Sequence, residues 1–251
     1  MAAISLNAAA ASETLTKDGL TVIAGATVVN AVTNDALTWL GPHWSELQPD
    51  AYLPGGATYR RRRYGRLAAV PQVDGSTRIT ALPETAFVQS RETIPLYEGK
   101  ARRFAPIDPA TLTAEPLLAL LRLDLRVVTA VEPGAYDVGV HMVRIAVTPE
   151  RVELPAPEGR HQDGHSFVAM HLIKRECCTG GTSLVFRLGE PDPVAELTLS
   201  DRLDTLIIND RRVEHDVTPV GALISHGIRD MLIVDFDPAD DHRPSTKGIP
   251  L

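Results

Sequence analysis

From Tyr136 onward the 251-residue chain consists of short, β-branched, partly alternating runs separated by turn residues, and this pattern constrains the fold more than any other feature. The runs are Val138–Val147, Phe167–Lys174, Ser183–Leu188, Thr205–Ile208, Arg212–Val217 and Met231–Phe236, and they read as strands of an antiparallel sheet or barrel. Turn signals such as Thr179-Gly180-Gly181 and Gly189-Glu190-Pro191-Asp192-Pro193 stand between them. Upstream the spacing is helical. Asn34–Leu40 and Ala110–Leu125 carry apolar residues one turn apart, for example Leu117, Leu118, Leu121 and Leu125. Pro109 and Thr111 are start signals for the second helix, with Pro116 as an alternative start. The expected fold class is α+β with a mainly β core, in which N-terminal helices support a C-terminal double-sheet jelly roll. A single domain is expected over 1–251: helical support and substrate-side strands in 1–135, a metal-binding core in 136–236, and a polar, Pro-bearing tail in 237–251.

Charge narrows the partners. With 25 Lys+Arg against 32 Asp+Glu the formal charge is −7, which argues against nucleic acid in spite of the basic run Tyr59-Arg60-Arg61-Arg62-Arg63-Tyr64-Gly65-Arg66. As a strand, that run places Arg60, Arg62 and Tyr64 on one face and Arg61 and Arg63 on the other, so one face can line a pocket for carboxylates. A solvated strand with surface ion pairs is the alternative. With 44% hydrophobic and 23% charged residues the chain is not disordered as a whole. No apolar stretch approaches the roughly 20 residues needed to span a bilayer; Leu117–Val128 is interrupted by Arg122, Asp124 and Arg126, and no membrane association is expected. The N-terminus lacks a basic region ahead of an apolar core, so a cytoplasmic location is expected. Cys177 and Cys178 are adjacent, without C-x-x-C spacing, and read as small buried hydrophobes.

One segment carries chemistry: Pro157-Glu158-Gly159-Arg160-His161-Gln162-Asp163-Gly164-His165. On an extended chain His161 and Asp163 project from the same face, close enough to bind one ion. The best third ligand is His215, on a predicted strand downstream that a neighbouring barrel strand can bring back. Two imidazoles and one carboxylate on one face of an octahedron leave three open positions, the arrangement of non-haem Fe(II) oxygen chemistry. H-x-D alone is also what a surface turn at Asp163-Gly164 produces. His226 competes for the third place but reads as a loop residue. His165 and His171 share strand parity with His161 only if Gly164 does not break the strand. Arg229 follows His215 at the start of an apolar strand. A buried Arg entering a barrel needs an anion, and its fork matches the distal carboxylate of a dicarboxylate such as 2-oxoglutarate. The alternative pairs it with Asp230 or Asp235. His141 and Arg144 have opposite parity, so at most one faces the pocket.

Taken in order, YRRRRYGR (59–66), FVQS (87–90), RRFAPI (102–107), VHMVRI (140–145), PEGRHQDGH (157–165), IKR…GGTS (173–183), DRRVEHDVTPV (210–220) and RDMLIVDF (229–236) resemble the bacterial Fe(II)/2-oxoglutarate dioxygenase family that includes the L-isoleucine hydroxylases. The resemblance covers most of the chain. It implies a double-stranded β-helix (cupin-like) fold, His161, Asp163 and His215 as ligands of Fe(II), and Arg229 as the anchor of the co-substrate 2-oxoglutarate, with O2 as oxidant. Many wider relatives carry Ser or Thr two residues after that Arg; here Met231 stands, which leaves the second anchor unassigned. Related halogenases lack a carboxylate at the position of Asp163, so its presence favours hydroxylation.

The implied substrate is a free, aliphatic L-amino acid, oxidised with release of succinate and CO2, while desaturation or ring closure would use the same site. Arg60, Arg62, Tyr64 and, next, Arg144 are the expected substrate-side residues. A non-oxidative cupin-like metal enzyme would share the barrel without needing Arg229, and a metal-free binding module would keep the barrel alone. Consumption of 2-oxoglutarate and binding of Fe(II) separate these readings.

Overall fold

The computed structural model describes residues 7–31, 38–89, 93–97 and 99–239. The predicted 34–40 helix thus lies outside the described residues over 34–37, with 38–40 helical, and the tail is described only to 239. The strands are β1 (Leu20–Ile23), β2 (Gln48–Pro49), β3 (Arg60–Pro71), β4 (Thr77–Ala81), β5 (Ala105–Pro106), β6 (Tyr136–Val147), β7 (Phe167–Glu176), β8 (Cys178–Gly180), β9 (Ser183–Arg187), β10 (Pro193–Leu197), β11 (Thr205–Asn209), β12 (Val213–Val217), β13 (Val220–Ala222) and β14 (Gly227–Pro238). A large sheet runs β1-β11-β7-β14-β6-β3-β2, with β4 and β5 joined to β3. Facing it are the three-stranded sheet β10-β9-β12 and the pair β13-β8. Among the described residues the pairings are antiparallel apart from β3 with β5.

The central strands are apolar on both faces because each face has its own covering layer. On β6, Tyr136, Val138, Val140 and Met142 turn to one side, while Val143, Ile145 and Val147 belong to a second cluster between the sheets. On β14, Leu232, Val234 and Phe236 take the first side. Arg229, Met231, Ile233 and Asp235 therefore share the opposite, inner side and line a cavity there. The outer layer consists of α1 (Ala8–Asp18) and a long helix that bury Leu15, Leu117, Leu120, Leu121 and Val128 against the large sheet. Burying each such side chain contributes about 1.5–3 kcal/mol.

The predicted Ala110–Leu125 helix is two helices. After α2 (Gly25–Ala31), α3 (Pro109–Leu112) is capped by the Asp108 carboxylate, which accepts from the Ala110 and Thr111 amides, and α4 (Glu115–Val131) restarts with Pro116 in its first turn. Both start signals are used. His171 faces this helical layer: its ring bonds Asp124 at 2.9 Å and Thr205 at 2.8 Å, so it is a satisfied core residue. The Arg-rich run forms β3 inside the large sheet beside β6, where Arg60, Arg62 and Tyr64 stand opposite Ile145, Val143 and His141. That register points the odd residues of β6 and the even residues of β3 inward.

Candidate metal centre

His161 and His215 are adjacent because their backbones pair. The His161 amide donates to the His215 carbonyl at 3.0 Å and the His215 amide returns the bond at 2.8 Å. Their rings lie 4.4 Å apart. Asp163, two residues on, places Oδ1 3.4 Å from His161 Nε2 and Oδ2 3.5 Å from His215 Nε2. One ligand atom from each of the three lies within 4.8 Å of the others, and both histidines are buried. Two imidazoles and a carboxylate converging from one side fit a divalent first-row metal with positions left open toward the cavity.

Neighbouring groups hold the trio in place. His161 Nδ1 lies 2.6 Å from the Gly159 carbonyl, so Nδ1–H donates and Nε2 is the nitrogen that faces Asp163. The Asp210 carboxylate, at the β11–β12 turn, accepts the amides of Asp163 (3.0 Å), Gly164 (2.8 Å) and His165 (3.0 Å). It thereby fixes the loop that carries Asp163, while Gly164 turns out of the strand at φ +88°. Gln89 Nε2 donates to the Asp163 carbonyl at 3.0 Å and to Oδ1 at 3.2 Å, and Arg102 donates in turn to Gln89.

The charges of the trio are interdependent. Burial pulls His161 down, but its bond to Asp163 and the charges of Asp163 and Glu158 outweigh this and bring it up to about 9. Burial and the neighbouring His161 push His215 down to about 4. Burial would raise Asp163, yet the two histidines hold it well below the usual carboxylate range. Without a cation, the carboxylate is thus offset by one protonated imidazole, and His215 stays neutral and ready to donate a lone pair.

Arg229 enters the same cavity and is 4% exposed. Its Nε is buried without a partner, and among the described residues no carboxylate pairs with it. Both candidate structural partners are taken: Asp230 by Arg144 through two 2.7 Å bonds, and Asp235 by His141 at 2.7 Å. Burial and the nearby Arg175 lower Arg229 to about 10. Gly181, at φ +66°, lets the chain pass the Arg229 stem, because a Cβ there would come within 3.0 Å of Cδ and Nε.

The substrate-side expectations divide. Arg62 lines the cavity with Nε buried and unpartnered. Its Nη2 lies 2.6 Å from His141 Nδ1 and its guanidinium sits 4.2 Å over Phe104. Arg60 also lines the cavity, but its donors are committed to Asp50 (2.8 Å), the Pro155 carbonyl (2.9 Å) and the Tyr97 hydroxyl (3.2 Å), so it braces the wall. Tyr64 stacks on His141 with ring centroids 4.5 Å apart, and acts behind the wall rather than on it. Arg144 is a correction: it points away from the cavity and clamps Asp230, and the residue of opposite parity, His141, is the one that faces in. His165 also reaches the cavity, anchored to Asp237 at 2.7 Å, whereas His226 is exposed in a loop. Phe87, Gln89, Arg102, Glu158 and Asp210 complete the surroundings, and sequence reasoning assigned none of them a role.

Comparison with known proteins agrees with this geometry. The profile of the family described as 2OG-Fe dioxygenase matches residues 41–235. A protein of Bacillus thuringiensis named L-isoleucine-4-hydroxylase is 29% identical over 197 residues, which is 76% of this chain and 78% of that one. The crystal structure of a bsmA homolog from Methylobium petroleophilum superposes with a TM-score of 0.84 at 28% identity, over 96% of this chain and 97% of the other. The structure of IDO from Bacillus thuringiensis gives a TM-score of 0.76 at 22% identity, over 93% and 100%, and shares the jelly-roll fold. Among the described residues no helix is long and apolar enough to cross a membrane. With a barrel of this topology, a His-Asp-His grouping in its cavity and a family match across most of its length, the chain belongs to the 2OG-Fe dioxygenases, oxidoreductases that work with Fe(II), 2-oxoglutarate and O2.

Proposed function

We propose that this enzyme hydroxylates an unactivated C–H bond of a free, aliphatic L-amino acid, with His161, Asp163 and His215 holding Fe(II) and Arg229 anchoring 2-oxoglutarate. The observation that carries the reading is the pairing of two incomplete sites in one cavity. Three metal donors lie within 4.8 Å of one another, and a buried guanidinium without a counter-ion faces the same space. Bound there, Fe(II) with 2-oxoglutarate and O2 supplies oxidative decarboxylation to succinate and CO2 coupled to C–H oxidation.

The chain's own part is to bind, orient and exclude water. Gln89 donates to the Asp163 carboxylate, Asp210 holds the backbone of the loop that carries it, and the Gly159 carbonyl fixes the His161 tautomer. Arg229 offers a fork to a distal carboxylate, while Met231, where a hydroxyl is absent, offers only an apolar contact beside it. Val143, Ile145, Val168, Met170 and Ile233 supply an apolar wall suited to an aliphatic side chain, and the cation of Arg62 suits a substrate carboxylate. The similarity to a protein named L-isoleucine-4-hydroxylase supports the substrate class.

Incubation with Fe(II), 2-oxoglutarate and a panel of L-amino acids, followed by mass spectrometry, tests this. Succinate formation together with gain of one oxygen by an aliphatic amino acid is expected; succinate formation stimulated by none of them would refute the substrate assignment.

A further inference from the structure

Beside the guanidiniums of Arg62, Arg102 and Arg229, each with Nε buried and unpartnered, the cavity holds an unsatisfied group of opposite sign. Glu158 lines the wall beside the metal centre with Oε2 fully buried and, among the described residues, without a hydrogen-bond partner. Its Oε1 is 3.9 Å from His161 Nε2, a distance of charge contact and not of a hydrogen bond. Among the described residues no arginine pairs with it within 4.0 Å: Arg60 is committed to Asp50, and Arg102, whose Nε is itself buried without a partner, donates to Gln89 and stacks 3.7 Å over the Tyr97 ring. A buried carboxylate oxygen with no donor costs free energy until something supplies one. Arg62, which lines the same cavity, has the complementary deficit: a buried Nε without an acceptor and a contact to a neutral imidazole in place of a counter-ion.

A carboxylate lacking a donor and a guanidinium lacking an anion, beside the apolar wall of Val143, Ile145, Val168, Met170 and Ile233, are the complement of a zwitterion with an aliphatic side chain. We propose that Glu158 takes the α-ammonium group of the substrate while Arg62 takes its α-carboxylate, so that the pocket selects free α-amino acids over deaminated or N-acylated analogues. His141 is the positioning residue for this recognition. Its Nε2 donates to Asp235 and its Nδ1 accepts from Arg62, which fixes the direction of the guanidinium. Asp235 can approach so closely only because residue 139 is glycine, where a Cβ would lie 2.3 Å from the carboxylate. The assignment rests on the amino-acid reading given above and names the group within it that reads the nitrogen.

The test is anaerobic calorimetry on the enzyme loaded with Fe(II) and 2-oxoglutarate. The twenty free L-amino acids are titrated first, L-isoleucine among them, and then the deaminated analogue of the tightest binder (3-methylpentanoate for L-isoleucine). For Glu158→Gln, which keeps the shape and removes the charge, the amino-acid Kd is expected to rise roughly 10- to 100-fold while the Kd of the deaminated analogue stays within about twofold. Retained binding of that analogue also reports an intact fold and metal site. Equal weakening of both ligands, or of Fe(II) itself, would mean that Glu158 only supports His161 and would overturn the proposal. An unchanged amino-acid Kd would overturn it as well. If no free amino acid binds the wild type, the substrate reading fails first, and the assignment of Glu158 falls with it.

Discussion

Replacing Arg229 with methionine is expected to move stability and co-substrate affinity in opposite directions. In the ligand-free protein this guanidinium is buried, has no carboxylate partner among the described residues and lies near a second cation, Arg175. Burial and that neighbour bring its pKa well below the ordinary guanidinium value, to about 10. At roughly 1.4 kcal/mol per pH unit, keeping the charge there costs about 3 kcal/mol. Methionine is of similar length, is apolar and carries no such cost, so Arg229→Met should stabilise the ligand-free protein by about 1–3 kcal/mol. For a chain of this size that raises Tm by roughly 2–4 °C per kcal/mol. The same substitution strands a carboxylate of bound 2-oxoglutarate, a loss of roughly 2–5 kcal/mol, which raises the KM for 2-oxoglutarate at least about 30-fold. Arg229→Lys keeps a charge but not the fork, and should recover affinity only in part without the gain in Tm. Thermal unfolding of the ligand-free protein and succinate formation against 2-oxoglutarate concentration give the two readings. A lower Tm with an unchanged KM would refute the reasoning and make Arg229 a structural residue.

The other substitutions follow from which donors are committed. Arg62→Ala should raise the amino-acid KM more than about 10-fold with little change in the KM for 2-oxoglutarate, whereas Arg61→Ala and Arg63→Ala, whose side chains bond the Leu47, Glu46 and Pro106 carbonyls on the other face, should leave both KM values near wild type in steady-state assays. Arg144→Ala should leave KM unchanged and destabilise by roughly 2–4 kcal/mol in denaturant unfolding, because it strands Asp230, which is 1% exposed. Asp235 is held down to about 2, where burial would raise it but His165 and His141 outweigh that. A carboxylate lowered from 3.8 to about 2 contributes stability above about pH 4 that is lost as pH falls toward 2, so Asp235→Asn should remove part of the acid-side loss in pH-dependent melting.

The barrel strands and their buried faces are legible in the sequence because alternation is a direct consequence of two-sided burial: Leu232, Val234 and Phe236 go to the helices, and Met231 and Ile233 to the cavity. The His-Asp-His grouping is legible for a similar reason, since one-residue spacing fixes a shared face and a paired strand supplies the third member. Parity says that His141 and Arg144 differ, not which of them points inward, and only the packed barrel shows that His141 faces the cavity. Arg60 and Arg62 share a face, but only the presence of Asp50 beside one of them decides that Arg60 is a brace and Arg62 is free to bind. Asp210 and Gln89 act through the backbone and side chain of a loop remote in sequence, so no local spacing announces them. Glu158 stands within the PEGRHQDGH segment, yet its significance lies in a missing hydrogen bond, which only packing reveals.

The central claim is that His161, Asp163 and His215 hold one Fe(II) against which 2-oxoglutarate binds. Anaerobic titration of the protein with Fe(II) in the presence of 2-oxoglutarate, followed by the visible charge-transfer absorption of the Fe(II)·2-oxoglutarate pair, tests it directly. The wild type should develop the band at one iron per chain, and His161→Ala, Asp163→Ala and His215→Ala should each lose it at low micromolar metal while retaining the fold by circular dichroism. A band of undiminished amplitude and affinity in His215→Ala would contradict the assignment of the third ligand and with it the account of the site.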